Sequence, residues 1–292
     1  MNRTKHLAGL QSLYHWDHRL NFATQWRAKV TKVMLTNVSV AFIHTEASFK
    51  TEASSQTYLG ETVIVSDEQG DWYRVRLEDG YEGWVCKFYL VDKPVDWDDH
   101  EFYYHGEPIS WIYQNPDTQS GHFRDITMLS KLPALAYKDR WVQVLLPDGN
   151  QGWIEKSPRP LYTEVDSERL VQTALQFQGT QYHWGGRSPK SFDCSGFVQT
   201  TFWLNGLQLP RDAYQQAEVG VRVDDDYHNW QVGDLIFFTE NSKNITHVAI
   251  SLGEGDFIHS SGYVKLNSLN PDHQDLYMEK YSKTFTKTMR VL

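Results

Sequence analysis

Residues 70–85, GDWYRVRLEDGYEGWV, decide how the first half of this chain is read. Polar and apolar residues alternate up to Asp79-Gly80 and alternate again beyond it. That is the mark of two antiparallel strands joined by a turn whose glycine supplies a positive φ. The pattern returns at a constant offset as DRWVQVLLPDGNQGWI, residues 139–154. Trp141 falls on Trp72, Asp148-Gly149 on Asp79-Gly80, and Gly152-Trp153 on Gly83-Trp84. More alternating sequence, ETVIVSD and ALAYKDRW, lies just upstream of each hairpin. Two small antiparallel β-barrels follow from this repeat, at 33–92 and 93–160. Ahead of them, in residues 1–32, LQSLYHWDHRLNFATQW is expected to form a helix. SPRPLYTEVD (157–166), with two prolines, reads as a linker.

From residue 161 onward the character changes. DSERLVQTALQFQG carries Leu170, Val171, Ala174 and Leu175 at helical spacing, with Gly179 as a stop. DCSGFVQTTFWLNG predicts a second helix with Phe197, Val198, Thr201 and Phe202 on one face, closed by Gly206. Strand-like runs come next: VGDLIFF, THVAISLG, DFIHSSG and the terminal KTFTKTMRVL. Helices first and an antiparallel sheet afterwards predict an α+β domain over 161–292.

Composition narrows the function classes. The 292 residues allow two or three domains, and the net charge of −9 argues against nucleic acid or anionic lipid as a partner. The 11 Trp, 16 Tyr and 14 Phe suit small ring-filled domains or aromatic grooves. Two cysteines, Cys86 and Cys194, make no disulfide framework and suit a reducing compartment. The first twenty residues hold no apolar core of signal-peptide length, and no stretch approaches a membrane span. The expectation is a cytoplasmic monomer that needs no cofactor and no metal.

Cys194 opens the second predicted helix, where unpaired backbone N–H groups favour a thiolate. Asp193 is placed to cap that helix. His247 and His259 lie on predicted strands joined through the GEG turn at 253–255, so the two imidazoles can meet. A cysteine, a histidine base and a third group orienting it make up the constellation of a thiol peptidase. A zinc site from the same three residues is the rival reading; it lacks a fourth ligand and closely paired ligands. A cysteine that is simply a small core residue is the blandest one.

Resemblance adds to this. The W-x-x-V…DG-x-x-GW pattern resembles bacterial SH3-like domains. FDCSGFVQTTFWLNGLQLPRDAYQQ and VGDLIFFTENSKNITHVAISLGEGDFIHSSG, with the spacing between them, resemble the NlpC-type murein peptide hydrolases, a papain-like family. The whole chain is similar to that family's dipeptidyl-peptidase VI group of γ-D-glutamyl-L-diamino-acid endopeptidases. These cut murein tripeptides and tetrapeptides bearing a free N-terminal L-Ala. The implied architecture is two SH3-like β-barrels followed by an α+β papain-like cysteine peptidase domain. By the same resemblance Cys194 is the nucleophile, His247 the general base and His259 the residue that orients it. Tyr182 lies near the oxyanion, Asp193 and Ser195 flank the thiol and bind the D-Glu part, and Asp212 in LPRDAYQQ contacts substrate. Ala213 stands where many relatives have Ser.

In the same group the first barrel supplies a Glu and a Tyr that block one end of the cleft. The matching positions are Glu46, in HTEAS, and Tyr81, in DGYEGW, with Glu52 as a rival to Glu46. His44 and Ala47 depart from the usual arginine and proline there. The second repeat has Asn150 where the first has Tyr81, as expected if only one barrel touches substrate. Two further functions remain open from the sequence: a secreted autolysin using the barrels to hold intact wall, and a non-enzymatic scaffold with peptide-binding barrels.

Overall fold

The computed structural model describes residues 32–157, 162, 164–240 and 244–292. The helix expected within 1–32, and part of the 157–166 linker, fall outside them.

The first barrel contains β1 (Lys32–Thr36), β2 (Val40–His44), β3 (Ala53–Tyr58), β4 (Thr62–Gln69), β5 (Trp72–Arg76), β6 (Glu82–Cys86) and β7 (Leu90–Asp92). The second contains β8 (Phe102–Tyr104), β9 (Ile109–Tyr113), β10 (His122–Thr127), β11 (Lys131–Lys138), β12 (Trp141–Leu145) and β13 (Gln151–Glu155). The strand orders are β3-β2-β6-β5-β4-β1-β7 and β10-β9-β13-β12-β11-β8. Apart from β7, the second sheet repeats the first strand for strand. The sequence repeat reaches the turns as well. Gly80 and Gly149 both adopt φ +85°, and Asp79 and Asp148 each accept the backbone N–H two residues on, from Tyr81 (3.0 Å) and Asn150 (3.1 Å). The glycine before each repeated tryptophan has a packing reason. A Cβ on Gly83 or Gly152 would lie 2.4 Å from Cγ2 of Ile43 or Ile112, so only glycine lets the neighbouring strand pass so close.

The third part comprises α1 (Ser167–Leu175), the short pair β14 (Arg187–Ser188) and β15 (Ser191–Phe192), α2 (Cys194–Leu204), α3 (Ala213–Gln216), β16 (Val221–Val223), β17 (Leu235–Phe238), β18 (His247–Gly253), β19 (Asp256–Ser261), β20 (Tyr263–Ser268), α4 (Glu279–Thr284) and β21 (Phe285–Arg290). Its antiparallel sheet runs β16-β21-β17-β18-β19-β20, with the last strand inserted beside the first. Helix α2 differs from the one-faced helix that the sequence suggests. Every residue from Cys194 to Leu204 is buried except Trp203. The sheet covers one side through β18 and β19, and β14 packs on another. A helix that is buried nearly all round, its polar Gln199, Thr200 and Thr201 satisfied by hydrogen bonds, belongs at the centre of a domain.

The three parts share cores. Tyr58 of β3, with Met128 and Leu129 after β10, packs into the cluster that contains Phe192, Phe197 and Phe202. Leu35 and Leu59 of the first barrel pack with Ile112, Leu132 and Val144 of the second. The first barrel is thereby held against the mouth of the third domain.

Candidate active site

Helix α2 begins in a cap that also anchors the surrounding loops. Asp193 accepts the Gly196 N–H at 2.6 Å, as an N-cap should, and the Gly185 N–H at 2.9 Å. Arg211 grips the same carboxylate with both terminal guanidinium nitrogens, at 3.1 and 2.5 Å. It also donates to Ser195 Oγ at 2.9 Å and to Ser55 Oγ of the first barrel at 3.3 Å. The sequence reading gave Asp193 both the helix cap and the D-Glu part of the substrate. The structure shows the cap, with the carboxylate engaged by Arg211 and two backbone amides, and Asp193 also lines the cleft. Arg211, which that reading passed over, is the cation of this corner. Its only sequence signal was its place next to Asp212.

The thiol of Cys194 sits at that tip, buried and facing β18. Sγ lies 4.0 Å from the Thr246 carbonyl, and the Val248 N–H pulls the thiol's pKa down, so the backbone on both sides of His247 acts on the sulfur. His247 Nε2 is 2.7 Å from His259 Nδ1, and His259 Nε2 is 3.0 Å from Asn267 Oδ1. The two histidine rings meet edge-on, with centroids 5.0 Å apart and planes at 80°. The Tyr281 ring, 5.0 Å from that of His259, closes the back of the pair.

The electrostatics depart from the helix-tip expectation. Burial, then the Asp193 carboxylate, push the Cys194 thiol up to about 12 against the pull of nearby N–H groups. Burial, then Lys280 and Lys265, lower His247 to about 4, and His259 is driven well below its ordinary value mainly by burial. Isolated charges are therefore disfavoured on both partners. A proton passing from sulfur to imidazole leaves the pair's net charge unchanged, so attack can generate the ion pair when it is needed. His247 is a base only while neutral, and it gains its proton only as pH falls toward about 4. The acid limb of kcat/KM is expected to bend well below the ordinary histidine value of 6.5. A midpoint at 6.5 or above in a pH–rate profile contradicts this.

Tyr182 lines the cleft beside the thiol, and burial followed by the Cys194 and Asp193 charges raises its phenol, which stays protonated and able to donate. The Cys194 N–H, at the first position of α2, has no hydrogen-bond partner among the described residues. These two donors are available to a developing oxyanion.

The cleft has a volume of about 730 Å³ and draws on two of the three parts. Cys194, His247, Tyr182, Asp193, Ser195 and Asp212 come from the third part, and Ser54 and Tyr81 from the first barrel. His259 stands behind His247, fully buried. Glu46 is not brought here. It is exposed on the β2–β3 loop and does not line the cleft, and Glu52 is likewise exposed. The carboxylate beside Tyr81 at the cleft is Asp212, raised by burial and lowered in part by Arg211.

Tyr81 is tied down from behind. Asp79, whose Oδ1 holds the Tyr81 N–H, pairs through Oδ2 with the guanidinium of Arg187, which is fully buried. Arg187 also pairs with Glu61 at 3.2 Å, its N–H donates to Gln56 at 2.9 Å, and its carbonyl accepts from the Tyr58 hydroxyl. Gln199 of α2 donates to Asp79 at 3.3 Å. The equivalent Asp148 of the second barrel instead pairs with Arg124 of its own barrel, at 2.6 Å. Among the described residues, only the first copy is thus latched to the third domain through this turn.

Comparison with known proteins agrees with this geometry. The NlpC/P60 family model matches residues 179–290, and the bacterial SH3 domain model matches residues 39–90. A gamma-D-glutamyl-L-lysine dipeptidyl-peptidase of Bacillus cereus is 31% identical over 246 residues, covering 78% of this chain and 73% of that protein. The Bacillus subtilis protein of the same name is 32% identical over 218 residues, covering 70% of this chain and 71% of that one. The crystal structure of an NlpC/P60 family protein from Bacillus cereus superposes with a TM-score of 0.76 at 26% identity, covering 89% of this chain and 100% of that one. With a helix-borne cysteine facing paired histidines across a barrel-walled cleft, the chain belongs to the NlpC/P60 family of cysteine peptidases.

Proposed function

We propose that this peptidase hydrolyses the γ-D-glutamyl–L-diamino-acid bond of murein peptides that carry a free N-terminal L-Ala, as part of cell-wall peptide recycling. The observation that carries the reading is the first barrel's entry into the cleft: Tyr81 and Ser54 stand in one cavity with Cys194 and His247. A wall at that position suits a short peptide that ends there and opposes a continuous cell-wall strand. The names of the two Bacillus relatives support the same bond. Asp212, beside Tyr81, has the sign to meet the L-Ala ammonium. Arg211 and Ser195 have the chemistry to meet the D-Glu α-carboxylate. Cys194 Sγ then attacks the γ-carbonyl, the C–N bond breaks, and the amine leaves with the proton that His247 has taken from the thiol. Water, deprotonated by His247, cleaves the thioester.

The test compares L-Ala-γ-D-Glu-diaminopimelate with its N-acetylated form. Acetylation removes the cation and leaves Asp212 without a partner, so kcat/KM is expected to fall at least about 100-fold. Equal rates on both, or release of soluble peptides from purified sacculi, rejects amine recognition. Repeating the pair with lysine in place of diaminopimelate reads the preference at the third residue.

A further inference from the structure

Two imidazoles in contact do not by themselves settle where the protons are. Each neutral ring can hold its hydrogen on either nitrogen, so the 2.7 Å bond between His247 and His259 can run in two directions. In one, His247 donates from Nε2 and keeps a bare Nδ1 for the thiol proton. In the other it accepts at Nε2, its Nδ1 carries the hydrogen, and it is no base toward Cys194. His259 cannot decide this, because its own tautomer is open in the same way.

The decision lies one strand further on. Asn267 Nδ2 donates to the Leu276 carbonyl at 3.0 Å, and that carbonyl also accepts the Ser268 N–H at 2.9 Å. A backbone carbonyl can only accept, so the amide of Asn267 has one orientation: its NH2 faces Leu276 and its oxygen faces His259 Nε2, 3.0 Å away. His259 must then carry hydrogen on Nε2 and be bare at Nδ1. His247 must donate from Nε2, which leaves its Nδ1 as the free base. Burial makes the alternative costly. His259 is 0% and Asn267 7% exposed, so a bare Nε2 facing the amide oxygen would leave two acceptors opposed away from water.

We propose that Asn267 is a positioning residue that dictates the tautomers of both imidazoles and so delivers the bare Nδ1 of His247 to Cys194. The three side chains step across β18, β19 and β20. Lys265 pairs with His259 and Asn267 with Phe257, which makes Asn267 a diagonal neighbour of His259 on one sheet face. An amide suits the place better than a carboxylate. It neither gains nor loses a proton in the working range, so the direction of the chain does not reverse with pH, and it alone can donate to Leu276. The Tyr281 hydroxyl, 3.5 Å from His259 Nε2, is too distant to take over as acceptor.

The inference rests on the cysteine peptidase reading but not on which peptide is cut, and its test is made without substrate. In uniformly 15N-histidine-labelled protein near neutral pH, the two rings are identified by their mutual coupling across the hydrogen bond. Both are expected to be protonated at Nε2 and bare at Nδ1; a hydrogen on Nδ1 of either ring overturns the proposal. In Asn267→Leu the tautomers are expected to mix. Alkylation of Cys194 by iodoacetamide, and kcat on whichever peptide the enzyme cuts, are expected to slow about 10–100-fold with KM little changed. Asn267→Asp keeps an acceptor in place and is expected to hold the original tautomers if the Leu variant does not fold. Alkylation in the Leu variant within about twofold of the wild type, or unchanged tautomers there, makes Asn267 a bystander, and mixed tautomers in the Asp variant overturn the claim that an acceptor at this position sets the rings. Failure of the acetylated-substrate comparison would leave all of these readings untouched.

Discussion

Replacement of Cys194 by alanine is expected to lower peptide hydrolysis at least about ten-thousand-fold in kcat/KM while leaving the fold in place. Without sulfur no thioester forms, and His247 has no proton to take. The remaining donors, Tyr182 and the helix-tip N–H, can still polarise a carbonyl, so a trace of catalysis over water is expected to persist. The stability change should be small. Cys194 is buried, and losing one sulfur there costs on the order of 1 kcal/mol for the cavity. The same change removes a group that burial and Asp193 disfavour in its ionised form, so no compensating charge is stranded. Activity on defined peptides and a thermal melt of the same preparation separate the two effects. Full activity in the variant removes the proposed chemistry, and a large fall in melting temperature would make loss of activity uninformative about sulfur.

Some of this architecture is legible before any coordinates, and the reason is local. Trp72, Asp79-Gly80 and Gly83-Trp84 form a hairpin whose signals lie within one short stretch, and their recurrence at Trp141 makes the second barrel equally visible. Cys194 announces itself by sitting between a capping Asp193 and an apolar helical run. The residues that escape notice are those whose partners are remote. Arg187, in GGRSP, looks like a solvated charge until folding brings it to Glu61 and Asp79 of another domain. Asn267 has no significance until the strand pairing places it on the face of His259. Glu46 fails for a related reason. It is matched to the resembling group through HTEAS, where His44 and Ala47 already depart from the usual residues, and the β2–β3 pairing shifts register between Ile43 and His44, so a matched position does not carry over the direction of the side chain. A carboxylate in that loop cannot be assigned to a face by sequence alone, whereas Asp212, next to Arg211 at the start of α3, is held on the cleft by the cap it forms.

The largest effect on stability is expected at Arg187. Changing it to methionine fills similar space but strands Glu61, which is buried by the barrel–domain contact, and Asp79, which is partly buried. Breaking one side of such a buried ionic group costs about 3–5 kcal/mol, because the remaining charges have lost their partner and cannot reach water. The pH dependence gives this prediction its sign. Glu61 is held up to about 7 by burial and by Glu78 and Asp79, against the pull of Arg187. A carboxyl raised above its unfolded value contributes stability that is complete below about 4.5 and is lost as pH rises through about 7. Removing Arg187 takes away the largest influence that favours the ionised form and leaves only the Tyr58 N–H, so Glu61 moves further up. The variant's deficit relative to wild type is therefore expected to be smallest near pH 5 and largest near pH 9. Guanidinium unfolding at both values measures it, and the contributions of the buried histidines cancel in the difference. Adding Glu61→Gln to Arg187→Met should recover part of the loss, chiefly at the alkaline end. Because Asp79 also holds the turn that presents Tyr81, the single variant should show a raised KM for the free-amine peptide under conditions where it remains folded. A deficit independent of pH would mean that Arg187 acts by packing alone.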